Sequence, residues 1–331
     1  MNVRRGPGGA VAARFRGGRG GRRGRAGGGA AVSLEEAART SYVGRRAPVV
    51  AVLMTSRNRR RQLLRALDAL ADQRSLPPGT ALRVHLVDAG SRDGTAEAVR
   101  AAHPEVEVHR AGPRVRWGEG IRMASRNSRA AGATPFTHQF WLRDDVILAD
   151  EALALLLATS RALGDTAVVV GAVRDGGVPG ARPGSGPLAY SGRRRTRLPH
   201  RLPLVEPSGR TEPCDTYDGA AVLLPRAARD RAGDLDRAFR HTLGDLDHGL
   251  RARRVQVPAF VAPRAVGERH AVPLPPTWEE PGIGVREALR RRAGELPPRA
   301  WWTYCRRHAG VRAPLLAAAP YLRTAVRAAR D

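Results

Sequence analysis

The chain has 331 residues, 42% of them hydrophobic, enough for one large α/β domain with a substantial core. All 57 basic residues are arginine, so lysine Schiff-base chemistry and lysine-dependent phosphate loops are excluded. The formal net charge of +26 favours anionic partners such as nucleotides, phospholipid head groups or nucleic acid, although a solvated basic surface carries the same charge. Two cysteines, Cys214 and Cys305, are too few for a disulfide framework and predict a reducing cytosol. No stretch approaches the ~18 apolar residues of a spanning helix. No apolar core follows the N-terminal arginines, so no secretory signal is expected.

Residues 1–46 form a Gly/Arg/Ala tract with eleven arginines against only Glu35 and Glu36. Such a segment cannot bury enough apolar surface to fold and reads as disordered. It could be an RNA-binding arm, a contact for anionic lipid, or translation from a start assigned upstream of the real one. Its only aromatics, Phe15 and Tyr42, argue against the RNA arm, which usually interleaves stacking residues.

From Pro48 the texture changes. Val49–Met54 reads as a buried strand, Asn58 as the cap of a helix carrying Leu63, Leu64, Leu67 and Leu70, and Leu82–Val87 as the next strand, ending at Asp88. Asp93 opens a short helix through Ala102, and Val106–His109 is a third strand. A helix over Gly120–Ala131 leads to a fourth strand, Phe136–Leu142, which ends at Asp144-Asp145. Glu151–Leu163 is helical and Ala167–Val173 is a fifth strand. Residues 174–210 are rich in Gly, Pro and Arg and look like a mobile loop. Then come a strand at Ala220–Leu224, a helix from Pro225, a helix over 244–254, a strand near Val255–Val261, and helices over Val285–Arg292, Arg299–His308 and Ala313–Arg327. Strands alternating with helices predict a mainly parallel, doubly wound sheet.

Four places carry chemistry. Asp88, at the carboxyl end of a parallel strand, faces the crevice where such sheets bind ligands and can accept from a ribose hydroxyl or a base N–H; the plain alternative is a strand-to-helix turn. Asp144 and Asp145 are adjacent carboxylates after an apolar strand, suited to Mg²⁺ or Mn²⁺ on a diphosphate, but Asp-Asp turns are common without metal. Gly244–Arg254 opens with Asp245 and Asp247 and continues into Arg251, Arg253 and Arg254. One acid is placed to take a proton and the arginines to hold a diphosphate, yet Asp247 and Arg251, four residues apart, could be a simple ion pair. Gly118 and Gly120 precede a helix start, where a backbone can approach a ligand. His241, His248 and His270 lie near in sequence, and His270 is the candidate for metal contact.

Taken in order, Val52–Asn58, Val87-Asp88-Ala89-Gly90-Ser91, Trp117–Ile121, Trp141–Val146, Tyr217-Asp218-Gly219, Val222–Arg226 and Gly244–Arg254 resemble glycosyltransferase family 2, closest to its rhamnosyltransferase-like branch. The likeness covers about residues 48–270 and continues weakly to about 325. It implies a GT-A fold, a Rossmann-like mainly parallel sheet flanked by helices, over residues 47–270, with a helical C-terminal extension over 271–331. It also implies inverting transfer from a dTDP- or UDP-sugar to a glycan or lipid-linked acceptor, with Mg²⁺ or Mn²⁺. By resemblance, Thr55, Arg57 and Asp88 hold the nucleoside, Gly118, Asp144 and Arg251 contact the donor, and Asp144 and Asp145 bind metal, with His270 a further candidate. Asp245 falls on the catalytic base, and Asp218, Gly219 and Asp247 on the acceptor side. Departures are Arg143 where the branch usually has Asn, Ala89 and Asp218 where Asn is common, and Gly-Asp rather than Glu-Asp before the base. The reading places the protein in the cytosol or peripherally at the inner membrane face. The alternatives are a nucleic-acid-binding protein acting through the arginine tail, against which the 48–270 motif order argues, and an inactive relative that only binds.

Overall fold

The computed structural model describes residues 47–130, 132–176, 184–196, 202–270 and 276–330. These all belong to one compact unit, Ser33–Asp331. The disorder expected of residues 1–46 lies outside the described residues.

The first half of the domain is a parallel sheet. β1 (Val49–Ser56) is buried from Val50 onward, which accounts for its unbroken apolar run, since strands covered on both faces lose the alternating pattern. β2 (Ala81–Asp88) and β3 (Glu107–Arg110) step outward from it on one side, and β4 (His138–Leu142) lies on the other, all parallel. The strand order reverses at β1. Between these strands run α1 (Arg60–Ala71), which buries Leu63, Ala66, Leu67 and Leu70, α2 (Thr95–Ala102) and α3 (Trp117–Asn127).

The second half is mixed. β5 (Val146–Leu148), α4 (Ala152–Ala162) and β6 (Val168–Asp175) lead to the short strands β7 (Leu188–Tyr190), β8 (Gly192–Arg193), β9 (Glu212–Cys214) and β10 (Thr216–Tyr217). β11 (Ala221–Pro225), α5 (Arg226–Ala232), α6 (Gly244–Arg254) and β12 (Ala259–Arg269) follow, then α7 (Val285–Glu295), α8 (Pro298–His308) and α9 (Ala313–Ala328). The main sheet runs β3-β2-β1-β4-β11-β6-β12-β5. β11 is antiparallel to both β4 and β6, so the sheet is mixed rather than mainly parallel. β11 is entered from the turn at residues 218–220, and an antiparallel neighbour needs no helical crossover. One apolar cluster, including Val52, Leu67 and Phe140, lies on one face of the sheet. A second, including Leu53, Ile121 and Trp141, lies on the other.

Several boundaries differ from the sequence expectation. Asn58 does not cap α1. It takes a left-handed φ of 51°, and its side chain accepts the Arg92 N–H at 2.8 Å while Asp93 caps α1 from across the turn through the Arg60 N–H. α3 begins at Trp117, a turn earlier than expected. The segment 174–210 contributes the end of β6 and all of β7 and β8. Val255–Val257 is not strand: Gln256 has φ 59° and the Val257 N–H returns to the Ala252 carbonyl, ending α6 before β12 starts.

Candidate active site

Because the strand order reverses between β1 and β4, the carboxyl ends of β1, β2 and β4 open a crevice between them, the place where α/β sheets bind ligands. A cleft of about 250 Å³ lies there, lined by Thr55, Ser56, Arg57, Arg116, Trp117 and Arg143 among others. Thr55 is buried and its hydroxyl donates to the Val87 carbonyl, while Arg57 reaches the Pro113 carbonyl at 2.7 Å. Asp88 ends β2 with 4% exposure, and one of its oxygens accepts the Ser91 N–H at 3.0 Å. The cleft continues into a second hollow of about 500 Å³ toward the start of α8, sharing Arg116 and His241 with the first.

Asp144 and Asp145 follow β4 at the crevice rim, each 6% exposed. Every one of their carboxylate oxygens has a partner. The Ser56 hydroxyl donates to Asp144 Oδ2 at 2.7 Å and Arg59 to Asp144 Oδ1 at 3.1 Å. Arg59 is also 3.6 Å from Asp145 Oδ2, and Arg143 donates to Asp145 Oδ1 at 3.2 Å. Burial pushes the Asp144 carboxyl above its ordinary value, and Arg59 and Ser56 pull against that. The donor set suits Mg²⁺ or Mn²⁺, which take a few carboxylates and complete their shell with substrate phosphates. The positive charge now supplied by Arg59 must yield to such an ion. Its side chain is 44% exposed on a long stem, which leaves it room to do so.

The antiparallel pairing of β11 brings the turn at residues 218–220 to the same rim. Ala221 pairs with Leu142, and Arg143 N–H donates to the Ala220 carbonyl. Gly219 N–H then donates to Asp245 Oδ2 at 2.8 Å, while Leu246 N–H holds Asp245 Oδ1 at 2.9 Å. A Cβ on Gly219 would overlap the Trp117 ring, so only glycine lets Trp117 and Asp245 close on this turn. Asp245 is half-buried in the first turn of α6, entered through Leu243 at a left-handed φ of 69°. Backbone donors hold Asp245, and no arginine pairs with it among the described residues. Asp218 lies beside it, with its oxygens on Arg193 at 2.8 Å and Ser191 N–H at 3.3 Å. Burial pushes its carboxyl up to about 6 against the pull of Arg193.

Three expected site residues have other work. Asp247 is fully buried and bonded to Arg251 at 2.7 Å, His308 at 2.9 Å and Arg307 at 3.2 Å, a structural knot rather than an acceptor contact. Each nitrogen of the Arg251 guanidinium is engaged within the protein, Nε with Asp247 and the other two with the Ala232 and Asp234 carbonyls, so it is not turned to the cleft. Gly118 is required by protein packing, since a Cβ there would meet the Phe239 carbonyl at 2.7 Å. His270 is one residue beyond Arg269, which pairs with Val146, so it sits near Asp145 along the sheet. Its side chain lies 3.4 Å from Glu268, and it does not join Asp144 and Asp145 in a three-ligand cluster among the described residues. His248 is a core residue, hydrogen-bonded to Tyr217 and the Gly233 carbonyl.

Sequence reasoning missed Ser56, Arg59, Arg116 and His241 as cleft residues. Arg59 and Ser56 flank the recognised Arg57 and were findable as the turn between β1 and α1. Arg116 and His241 come from distant loops and left no local signal.

Residues 51–210 match the family model for glycosyl transferase family 2. No curated protein matches the chain by sequence. Among solved structures, GalNAc-T7 with UDP, GalNAc and Mn²⁺ aligns at a TM-score of 0.55 and 13% identity. That alignment covers 79% of this chain and 50% of that one, so the likeness is one of fold over half of that protein. The mannosyltransferase PcManGT from Pyrobaculum calidifontis, in complex with GDP-Man and Mn²⁺, aligns at 18% identity and a TM-score of 0.47, covering 86% of this chain and 74% of that one. On this GT-A-like sheet, residues 51–210, with Thr55, Asp88 and Asp144-Asp145 at the rim, are therefore similar to glycosyl transferase family 2 over just under half of the chain.

Proposed function

We propose that the chain is an inverting glycosyltransferase that moves a sugar from a nucleoside diphosphate donor to a hydroxyl of a glycan or lipid-linked acceptor. The observation that carries this reading is the convergence at one sheet edge of Asp144-Asp145, the Gly219 turn and Asp245, which come from separate parts of the chain. Thr55, Arg57 and Asp88 hold the nucleoside, and the guanidinium groups of Arg57, Arg59, Arg116 and Arg143 line the cleft where a diphosphate sits. Asp144 and Asp145 would hold Mg²⁺ or Mn²⁺, and such an ion would supply positive charge against the departing diphosphate. Asp245 takes the proton of the acceptor hydroxyl as it attacks the anomeric carbon from the side opposite the leaving group. Each Asp245 oxygen accepts one backbone N–H, which fixes the carboxylate and leaves a lone pair on each oxygen for the acceptor.

The larger hollow beside the start of α8, which meets the donor cleft at Arg116 and His241, takes the acceptor. A dTDP- or UDP-hexose, including a rhamnose donor, fits this reading. The fold likeness to GalNAc-T7, solved with UDP, supports the nucleotide-sugar class without choosing among its members. Among the described residues no helix is long and apolar enough to cross a membrane. α9, however, exposes Leu315, Leu322 and Val326 beside Arg323, Arg327 and Arg330, a composition suited to lying on an anionic lipid face. Retention of the chain by anionic vesicles and not by neutral ones tests that placement; equal behaviour toward both contradicts it.

Asp245→Asn tests the chemistry. It keeps shape and loses basicity, so kcat falls by ~10²–10⁴-fold while donor affinity stays within a few fold. Near-native turnover in this variant removes Asp245 as the base.

A further inference from the structure

We infer that His85, Glu107 and His109 form a second metal site, for Zn²⁺, at the free edge of the sheet and apart from the transfer cleft. The parallel register sets His85 of β2 opposite Glu107 of β3, and His109 follows Glu107 by two residues on the same strand. In a strand, residues two apart share a face, so all three side chains stand on one side of the sheet.

The distances fit a metal. Glu107 Oε2 lies 3.2 Å from His85 Nδ1 and 3.8 Å from His109 Nε2, and the three ligand atoms fall within 4.8 Å of one another. A tetrahedral zinc with bonds of ~2.0–2.1 Å separates its ligand atoms by roughly 3.3 Å. His85 is 4% exposed, and its Nδ1 is buried without a hydrogen bond; the approach to Glu107 is short but not in bonding geometry. His109 Nε2 is likewise buried and unpartnered. Two buried imidazole nitrogens left unsatisfied and aimed at one carboxylate oxygen cost free energy unless something fills the space between them. The two rings stack at 5.8 Å and 15°, which holds both nitrogens toward Glu107. Two histidines and a carboxylate are a borderline donor set that zinc accepts, and three protein ligands leave a fourth position open. That position faces a hollow of about 460 Å³ closed by Arg83, Asn127 and Ala130.

This hollow shares no lining residue with the transfer cleft. β3 is a four-residue strand with β2 as its only neighbour in the sheet among the described residues. An ion bridging His85 to Glu107 and His109 cross-links that strand to the sheet, and β3 leads directly into the loop that carries Val115 and Arg116 to the cleft.

The test is titration of the full chain with Zn²⁺ alone, read by competition with a chromogenic chelator, with thermal unfolding followed in parallel. The wild type is expected to hold one Zn²⁺ per chain at this site and to gain melting temperature with it. His109→Asn and Glu107→Gln, at partly exposed positions that should fold normally, each weaken that binding by at least tenfold and abolish the thermal gain. Asp145→Ala leaves it unchanged, which separates this site from the cleft and from the proposed transfer activity. Wild-type Zn²⁺ stoichiometry and affinity in both edge-strand variants, or no stoichiometric binding by the wild type, overturns the inference.

Discussion

Arg59 and Arg143 meet three of the four carboxylate oxygens of Asp144 and Asp145, and Ser56 meets the fourth. Arg143 is itself tied to the site by its approach to the Tyr190 ring, 5.1 Å from its centroid. By the resemblance drawn from the motifs, it stands where a neutral Asn is usual. A fixed cation beside two carboxylates competes with a divalent ion: at an effective dielectric of about 20 a unit pair 4 Å apart interacts by ~4 kcal/mol. The Arg143 side chain is 30% exposed, so solvent screening removes much of that. Arg143→Asn is therefore expected to tighten Mn²⁺ binding roughly tenfold in the presence of a nucleoside diphosphate, measured by calorimetric titration. Unchanged or weaker Mn²⁺ binding contradicts competition. At this scale the sequence was legible where chemistry is local. Thr55, Arg57 and Asp144 line the cleft as the motifs implied, and Asp88 abuts it. It was not legible for Asp247 and Arg251, because a charged pair four residues apart on a helix looks the same whether it faces a ligand or is buried against another helix.

α6 shows how one element divides its labour. Its first turn presents Asp245 to the rim, and two residues later Asp247 points into the interior and joins α8 through Arg307 and His308. Phe239, Leu243, Leu250 and Tyr304 pack around that junction, so the C-terminal helices are docked through α6. Burial alone would raise the Asp247 carboxyl, but hydrogen bonds from His308, Arg251 and Arg307 outweigh it and hold the group at about 2. The folded value is below the ordinary ~3.9 of an aspartate, so the ionised form stabilises the fold. That contribution, roughly 2 kcal/mol, is complete above about pH 4 and is lost as pH falls toward 2. Asp247→Asn is expected to cost on the order of 3 kcal/mol at pH 7, with the gap from wild type narrowing at pH 3, as read by urea unfolding. A gap that does not change with pH contradicts this role. Helices with a strong apolar period, such as α1 and α9, were readable within a turn of their ends. The start of β12 was not, because the left-handed residue that ends α6 is Gln256 rather than Gly, which left Pro258 as the single mark of the boundary.

For the molecule as a whole, alternation of strands and helices predicted a layered α/β sheet, and the point where strand order reverses did place the crevice. What alternation could not reveal is the direction of β11, a strand of ordinary apolar composition that enters the sheet antiparallel beside β4. That pairing delivers Gly219 to the rim, where its N–H holds Asp245, so the site depends on a strand direction that composition conceals. The most direct test of the account is a donor panel. The full chain is incubated with Mn²⁺ and each of a set of nucleoside diphosphate sugars, including dTDP-, UDP- and GDP-linked hexoses, and nucleoside diphosphate release is measured with and without excess EDTA. Release from one donor class is expected, abolished by EDTA and restored by added Mn²⁺. Absence of both release and binding across the panel, or release unaffected by EDTA, contradicts it.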